Sequence, residues 1–82
     1  MRGWPRISAK DFLDLKGLDC PEPAILFYRA FGKLDVGEWL EAEIDIKECA
    51  VIAAELVNRS GFGVATVEER GKAYRVRAVR LR

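Results

Sequence analysis

The run Cys20-Pro21-Glu22-Pro23 constrains this chain more than any other stretch. Each proline fixes φ near about −65° and lacks an amide proton, so two of them one residue apart do not fit inside a helix or a central strand. They do fit a first helical turn, where the amide protons have no intrahelical acceptor. Leu13 to Pro23 therefore reads as a short strand, a turn containing Gly17, and a helix opening at the cysteine. With Cys20 as N-cap, Pro21 is N1 and Pro23 is N3. Pro23 has no proton for the usual cap bond, which leaves the Glu22 amide as the expected donor to the sulfur. The positive end of a helix macrodipole favours a thiolate, while the carboxylates of Asp19 and Glu22 oppose it. The prolines are expected to hold the sulfur at the helix tip, within reach of a partner.

The chain has 82 residues, half of them hydrophobic, which suits one domain with one modest core. A net charge of +1 gives no global attraction to nucleic acid or to an anionic membrane. No apolar run reaches the roughly 20 residues of a membrane-spanning helix. The start Met1-Arg2-Gly3-Trp4-Pro5 lacks the apolar core of a signal peptide. Two cysteines, Cys20 and Cys49, do not make a disulfide framework, and reduced thiols in the cytoplasm are expected. The absence of histidine excludes Cys–His and Ser–His–Asp catalysis on this chain alone. Two cysteines also give too few soft ligands for a conventional zinc or iron site, so no metal is expected. The chemistry falls to a thiolate.

Residues 1–10 show no clean periodicity and read as an extended arm, with Trp4 and Ile7 folding back onto a single domain over residues 11–82. Phe12 to Lys16 is the first strand, with Leu13 and Leu15 on one face and Phe12 and Asp14 on the other. The first helix runs from Pro21 to about Lys33. Ala24, Phe27, Ala30, Phe31 and then Leu34 face the core, Ile25 and Tyr28 lie at the margin, and Glu22, Leu26, Arg29 and Lys33 lie away from it. Glu38 to Ile44 alternates as a half-buried strand, Leu40, Ala42 and Ile44 pointing one way and Trp39, Glu41 and Glu43 the other. Strand, helix, strand in this order favours a parallel pair.

Asp45-Ile46-Lys47-Glu48 has the form of a capping box, with Asp45 as N-cap. The second helix runs to about Ser60 and stops at Gly61. Its core stripe is Cys49, Ile52, Ala53 and Leu56. Phe62 to Glu69 is a third strand and Arg70-Gly71-Lys72 a hairpin turn. Ala73 to about Leu81 is the last strand, with Tyr74, Val76 and Ala78 inward and Arg75 and Arg77 outward. Two helices cannot cover both faces of four strands. The order βαβαββ therefore implies an α+β two-layer sandwich: a mixed four-stranded sheet with both helices on one face and the other face open.

The pattern Leu-Asp-Leu-Lys-Gly-Leu-x-Cys-Pro-x-Pro at residues 13–23, followed by an apolar helix, resembles the TusA/SirA/YedF family of small sulfur carriers. The resemblance extends from about Phe12 to Arg80 and implies the same two-layer fold. It implies a sulfurtransferase-type persulfide carrier rather than a stand-alone turnover enzyme. The Cys20 thiolate would take the outer sulfur of a donor persulfide, hold it as Cys–S–SH, and pass it to an acceptor thiol. Gly17, Leu18, Pro21, Glu22 and Pro23 support the motif, with Glu22 at its variable position. No bound cofactor is implied. The implied partners are a donor protein, a cysteine desulfurase or rhodanese-like protein, and an acceptor sulfurtransferase. The family's outlets include tRNA thiolation, supply to molybdenum-cofactor enzymes and sulfur oxidation, and nothing in the sequence picks among them. The family's Asp-Asp-Pro-like start of the second helix is Asp45-Ile46-Lys47 here, a departure that leaves the partner open.

Cys49 has two readings. The parallel pair puts both helix N-termini at one sheet edge, so Cys49 can serve as a second thiol beside Cys20, or it can continue the core stripe and pack on Ile44. Leu26, outward one turn after Cys20, and Arg29 are candidates for a partner surface, as is Trp39 on the open sheet face with Phe12. The basic C-terminal hairpin, Arg70, Lys72, Arg75, Arg77, Arg80 and Arg82, lacks interleaved aromatics and faces Glu68 and Glu69. That suits cross-strand ion pairs and argues against direct nucleic-acid binding. A monomer or weak dimer is expected. Two other functions remain open: a thiol-redox regulator using Cys20 and Cys49, and a non-catalytic protein- or RNA-binding module.

Overall fold

Strict alternation in Trp39-Leu40-Glu41-Ala42-Glu43-Ile44 makes this segment the spine of the fold. In the computed structural model, which describes residues 10–82, Leu40, Ala42 and Ile44 are fully buried under two helices. The elements are β1 (Lys10–Asp14), α1 (Glu22–Phe31), β2 (Trp39–Ile44), α2 (Lys47–Ser60), β3 (Gly63–Arg70) and β4 (Ala73–Arg80). The sheet order is β1-β2-β4-β3. β1 and β2 run parallel, as a strand-helix-strand crossover requires, and the other two pairings are antiparallel. The α+β sandwich expected from the sequence is the architecture found. The arm, with Trp4 and Ile7, lies outside the described residues except for Lys10, which begins β1.

The core fills the space between the helices and one sheet face. Phe27 and Phe31 of α1 meet Ala50, Ala53 and Val57 of α2 and Leu40, Ile44, Val76 and Ala78 of the sheet. Small residues on α2 let the two helices share one face of four strands. The buried stripe of α2 is Cys49, Ala50, Ala53, Ala54 and Val57. This corrects the expected stripe: Ile52 is exposed and Leu56 only half-buried, because the helix turns its alanines to the sheet. Gly61 closes α2 at φ 81°, a left-handed conformation that favours glycine. Asn58 bonds both the amide (2.8 Å) and the carbonyl (3.1 Å) of Ala65, fastening α2 to β3.

Three further expectations are corrected. The first helix is shorter than the sequence suggested, with Pro21 as N-cap and Gly32 as C-cap. Leu26 is not outward but half-buried and packed on the core. Arg75 and Arg77 take their partners from β2, not from Glu68 and Glu69 as their main contacts. Arg75 Nη2 lies 2.7 Å from Glu43 Oε2, and Arg77 donates to Glu41 from Nε at 2.9 Å. β4 sits between β2 and β3, and its register sets Glu41 opposite Arg77 and Glu43 opposite Arg75. Glu41 is buried at 3% exposure, where a carboxylate draws a cation strongly. The guanidinium groups also cover the open face, Arg75 over Phe12 at 5.3 Å and Arg77 over Trp39 at 4.6 Å.

Candidate functional site

The segment that leads to Cys20 is fastened at each step. The Leu15 amide donates to the Glu43 carbonyl at 2.9 Å, continuing the parallel pairing past β1. Lys16 Nζ bridges Asp14 Oδ1 (2.9 Å) and Glu43 Oε1 (3.1 Å). The hydrogen bond to Asp14 is the main reason the Lys16 ammonium is held above its usual range, with Glu43 second. Asp14 is held below the usual carboxylate range by the same bond. Gly17 turns the chain at φ 85° and donates its amide to Asp45 Oδ2 at 3.0 Å. Leu18 then packs half-buried against the core.

Cys20 follows, exposed, and Pro21 caps α1 with no side-chain bond. The Glu22 amide donates to the Asp19 carbonyl at 2.9 Å, not to the Cys20 sulfur as the N-cap reading had it. The physical reason is that the turn closes one residue earlier than the N-cap reading allows. The Asp19 carbonyl is thereby the acceptor in reach, and the sulfur is left at the surface. Pro21 and Glu22 are exposed, whereas Pro23 is buried and anchors the first turn.

Cys49 is the third residue of α2 and fully buried. Cys20 and the Ala24 amide both act on its thiol, Cys20 raising its ionisation and the Ala24 amide lowering it. Burial, followed by the influence of Cys20, pushes the Cys49 thiol up to about 11. The two cysteines are therefore neighbours, one at the surface and one sealed beneath it. The capping box expected at Asp45 is absent: Ile46 is the N-cap of α2, with no side-chain cap bond. Asp45 is drawn off to Gly17, a contact across 28 positions of sequence that no local pattern signals.

Of the expected partner-surface residues, Arg29 is exposed on α1. Leu26 and Arg29 line a shallow groove of about 280 Å³ with Leu13, Leu15, Ala30 and Lys33. A second groove of about 480 Å³ lies on the other flank of α1, lined by Ile25, Tyr28, Arg29, Gly32, Lys33 and Leu56. Trp39 lies on the opposite face of the sheet, beneath Arg77, and is not brought to Cys20. Among the described residues, no group of three or more Cys, Asp or Glu side chains is placed to hold a metal ion.

The sequence matches the family Sulfurtransferase TusA over residues 11–80. The chain belongs to the TusA family. The fold is similar to that of a SirA-like protein from Desulfitobacterium hafniense, with a TM-score of 0.77 at 19% identity, covering 88% of this chain and 99% of that one. No curated protein matches the sequence. TusA membership carries a sulfur-carrier role in general terms and, with it, sulfur-relay partners. In this TusA-family chain Cys20 is exposed, two residues before the first residue of α1. Among the described residues no helix is long and apolar enough to cross a membrane.

Proposed function

We propose that this chain carries persulfide sulfur on Cys20 and relays it to an acceptor protein. The observation that supports this most directly is the exposed Cys20 just before the N-cap of α1 in a TusA-family domain. A thiolate is the attacking species in sulfur exchange, and exchange between proteins needs access to both sulfurs. The donor is a cysteine desulfurase or rhodanese-like protein, and the acceptor is a sulfurtransferase. Arg29, exposed on α1, is positioned to meet them. Two cysteines outside any disulfide suit a reducing compartment such as the cytoplasm.

In the cycle, the Cys20 thiolate attacks the outer sulfur of the donor's persulfide, and the donor leaves as a thiolate. Cys20 then holds Cys–S–SH until an acceptor thiolate attacks its outer sulfur, which frees Cys20 again. The test is intact-mass analysis after incubation with a cysteine desulfurase and cysteine, on wild type, Cys20→Ser and Cys49→Ser. Wild type and Cys49→Ser gain sulfur that reductant removes, and Cys20→Ser gains none. A wild type that takes up no sulfur from any donor would sink this reading. The influence of Cys20 on the Cys49 thiol favours a second reading, a thiol-redox regulator. It requires wild type to gain no sulfur and to lose two hydrogens on mild oxidation.

A further inference from the structure

A carrier that only loads and unloads Cys20 leaves Cys49 without work. The position of Cys49 is nevertheless specific. β1 and β2 run parallel, and each is followed by a helix, so the segment before α1 and the first turn of α2 meet at one edge of the sheet. Cys20 lies on the first and Cys49 on the second, the Gly17–Asp45 hydrogen bond ties the two segments together, and Cys20 is near enough to raise the ionisation of the Cys49 thiol. Cys49 has no exposed surface, so a docking protein reaches Cys20 and not Cys49. The Ala24 amide works the other way on the Cys49 thiol, favouring its negative form.

We propose that Cys49 is an internal acceptor that discharges the Cys20 persulfide when no partner takes it, releasing hydrosulfide and closing a Cys20–Cys49 disulfide. The inference rests on Cys20 carrying persulfide. Cys49 loses its proton, and its thiolate attacks the inner sulfur of Cys20–S–SH. The bond between the Cys20 and Cys49 sulfurs forms as the bond to the outer sulfur breaks. The outer sulfur leaves with the electron pair as hydrosulfide and takes up the proton that Cys49 gave, so the net products are disulfide and hydrogen sulfide. The outer sulfur is reduced and the Cys49 sulfur oxidised, and no outside oxidant enters. A cellular dithiol or monothiol reductant then reopens the disulfide by exchange.

The geometry divides the two attacks. The outer sulfur of a persulfide on exposed Cys20 is open to a partner, whereas Cys49, buried on the adjoining segment, approaches the inner sulfur from beneath. Burial keeps the Cys49 thiol protonated at neutral pH, its ionisation pushed up to about 11, and this makes discharge slower than transfer to a docked acceptor. The carrier thus holds its sulfur long enough to deliver it and loses it as sulfide when delivery fails.

The experiment loads the full chain with inorganic polysulfide, removes the excess by gel filtration, and follows intact mass and released sulfide together. Wild type is expected to gain sulfur first. It should then fall to two hydrogens below the reduced mass as an equivalent of sulfide appears, with a Cys20–Cys49 link found by peptide mapping without reduction. Cys49→Ser and Cys49→Val should hold the persulfide at least about tenfold longer, since their internal nucleophile is gone. The wild-type mapping needs no variant and stands even where a Cys49 substitution disturbs folding. Loading of wild type with no sulfide release and no link overturns the internal acceptor and leaves the carrier intact. Equal persulfide lifetimes in wild type and both variants do the same. Failure of wild type to gain any sulfur overturns both.

Discussion

The Asp45 carboxylate accepts the Gly17 amide proton at 3.0 Å, so the residue before the second helix holds the turn before Cys20. One hydrogen bond ties together the two segments that carry the cysteines. Asp45→Ala removes the acceptor and should lower stability by about 1 kcal/mol in urea titration, while Asp45→Asn, which keeps a carbonyl oxygen, loses less. The alanine variant should also expose Cys49 more often, seen as faster alkylation of Cys49 in the folded chain. Unchanged Cys49 labelling in Asp45→Ala would mean that the turn needs no such anchor.

The two thiols should differ sharply in reactivity. Iodoacetamide near neutral pH is expected to modify Cys20 alone, because Cys49 is fully buried and its thiol is raised to about 11. The raised value has a sign for stability. In the unfolded chain Cys49 ionises near its ordinary value of 9.0, so the unfolded state loses the proton first. The stability from the protonated buried thiol is full below 9.0 and is lost as pH rises toward about 11. Wild type should therefore lose on the order of 2 kcal/mol more than Cys49→Val between those limits. Parallel alkaline limbs in the two proteins would contradict the raised value.

Gly63 begins β3 where α1 presses against the sheet. A methyl group there would lie 2.7 Å from Cζ of Phe31 and would also meet the Val79 carbonyl. Neither the fully packed ring nor the backbone can retreat cheaply. Gly63→Ala should cost on the order of 2–3 kcal/mol, read as a lower urea midpoint. A double variant Gly63→Ala/Phe31→Leu should recover part of the loss, since the shorter side chain clears the ring contact.

Arg75 and Arg77 hold the sheet face rather than offer a charge stripe to a ligand. Glu43 lies below the usual carboxylate range because Arg75 donates to it, with Lys16 second. Such a group stabilises the fold above its unfolded pKa, and that contribution is lost as pH falls through the folded value. Arg75→Met should lower the urea midpoint at neutral pH and flatten the decline toward acid. The double variant Arg75→Met/Arg77→Met should lose stability yet still load persulfide on Cys20 at wild-type stoichiometry below its melting range. Loss of loading in a chain that circular dichroism shows to be folded would revive a binding role for this face.

Local rules were enough for the order of elements. The prolines placed the start of α1 to within a residue, alternation marked β2, Gly61 marked the end of α2, and Cys20 stood out at a helix tip. Each of these depends on sterics or hydrogen bonding within a few residues, which sequence carries directly. The α2 stripe was misplaced because alanine is neutral in a hydrophobic pattern, and only packing against α1 and β4 shows that small residues are needed there.

The sequence by itself determined which segments are strands and helices, the two-layer architecture, the family, and the thiol that stands exposed. Tertiary structure alone decided who touches whom. It paired Arg75 and Arg77 with β2 because β4 lies between β2 and β3, drew Asp45 from its helix to Gly17, and buried Cys49 where Cys20 raises the ionisation of its thiol. Those contacts join residues far apart in the chain. They exist only once strand order and register bring the residues together, and no window of local sequence contains both partners.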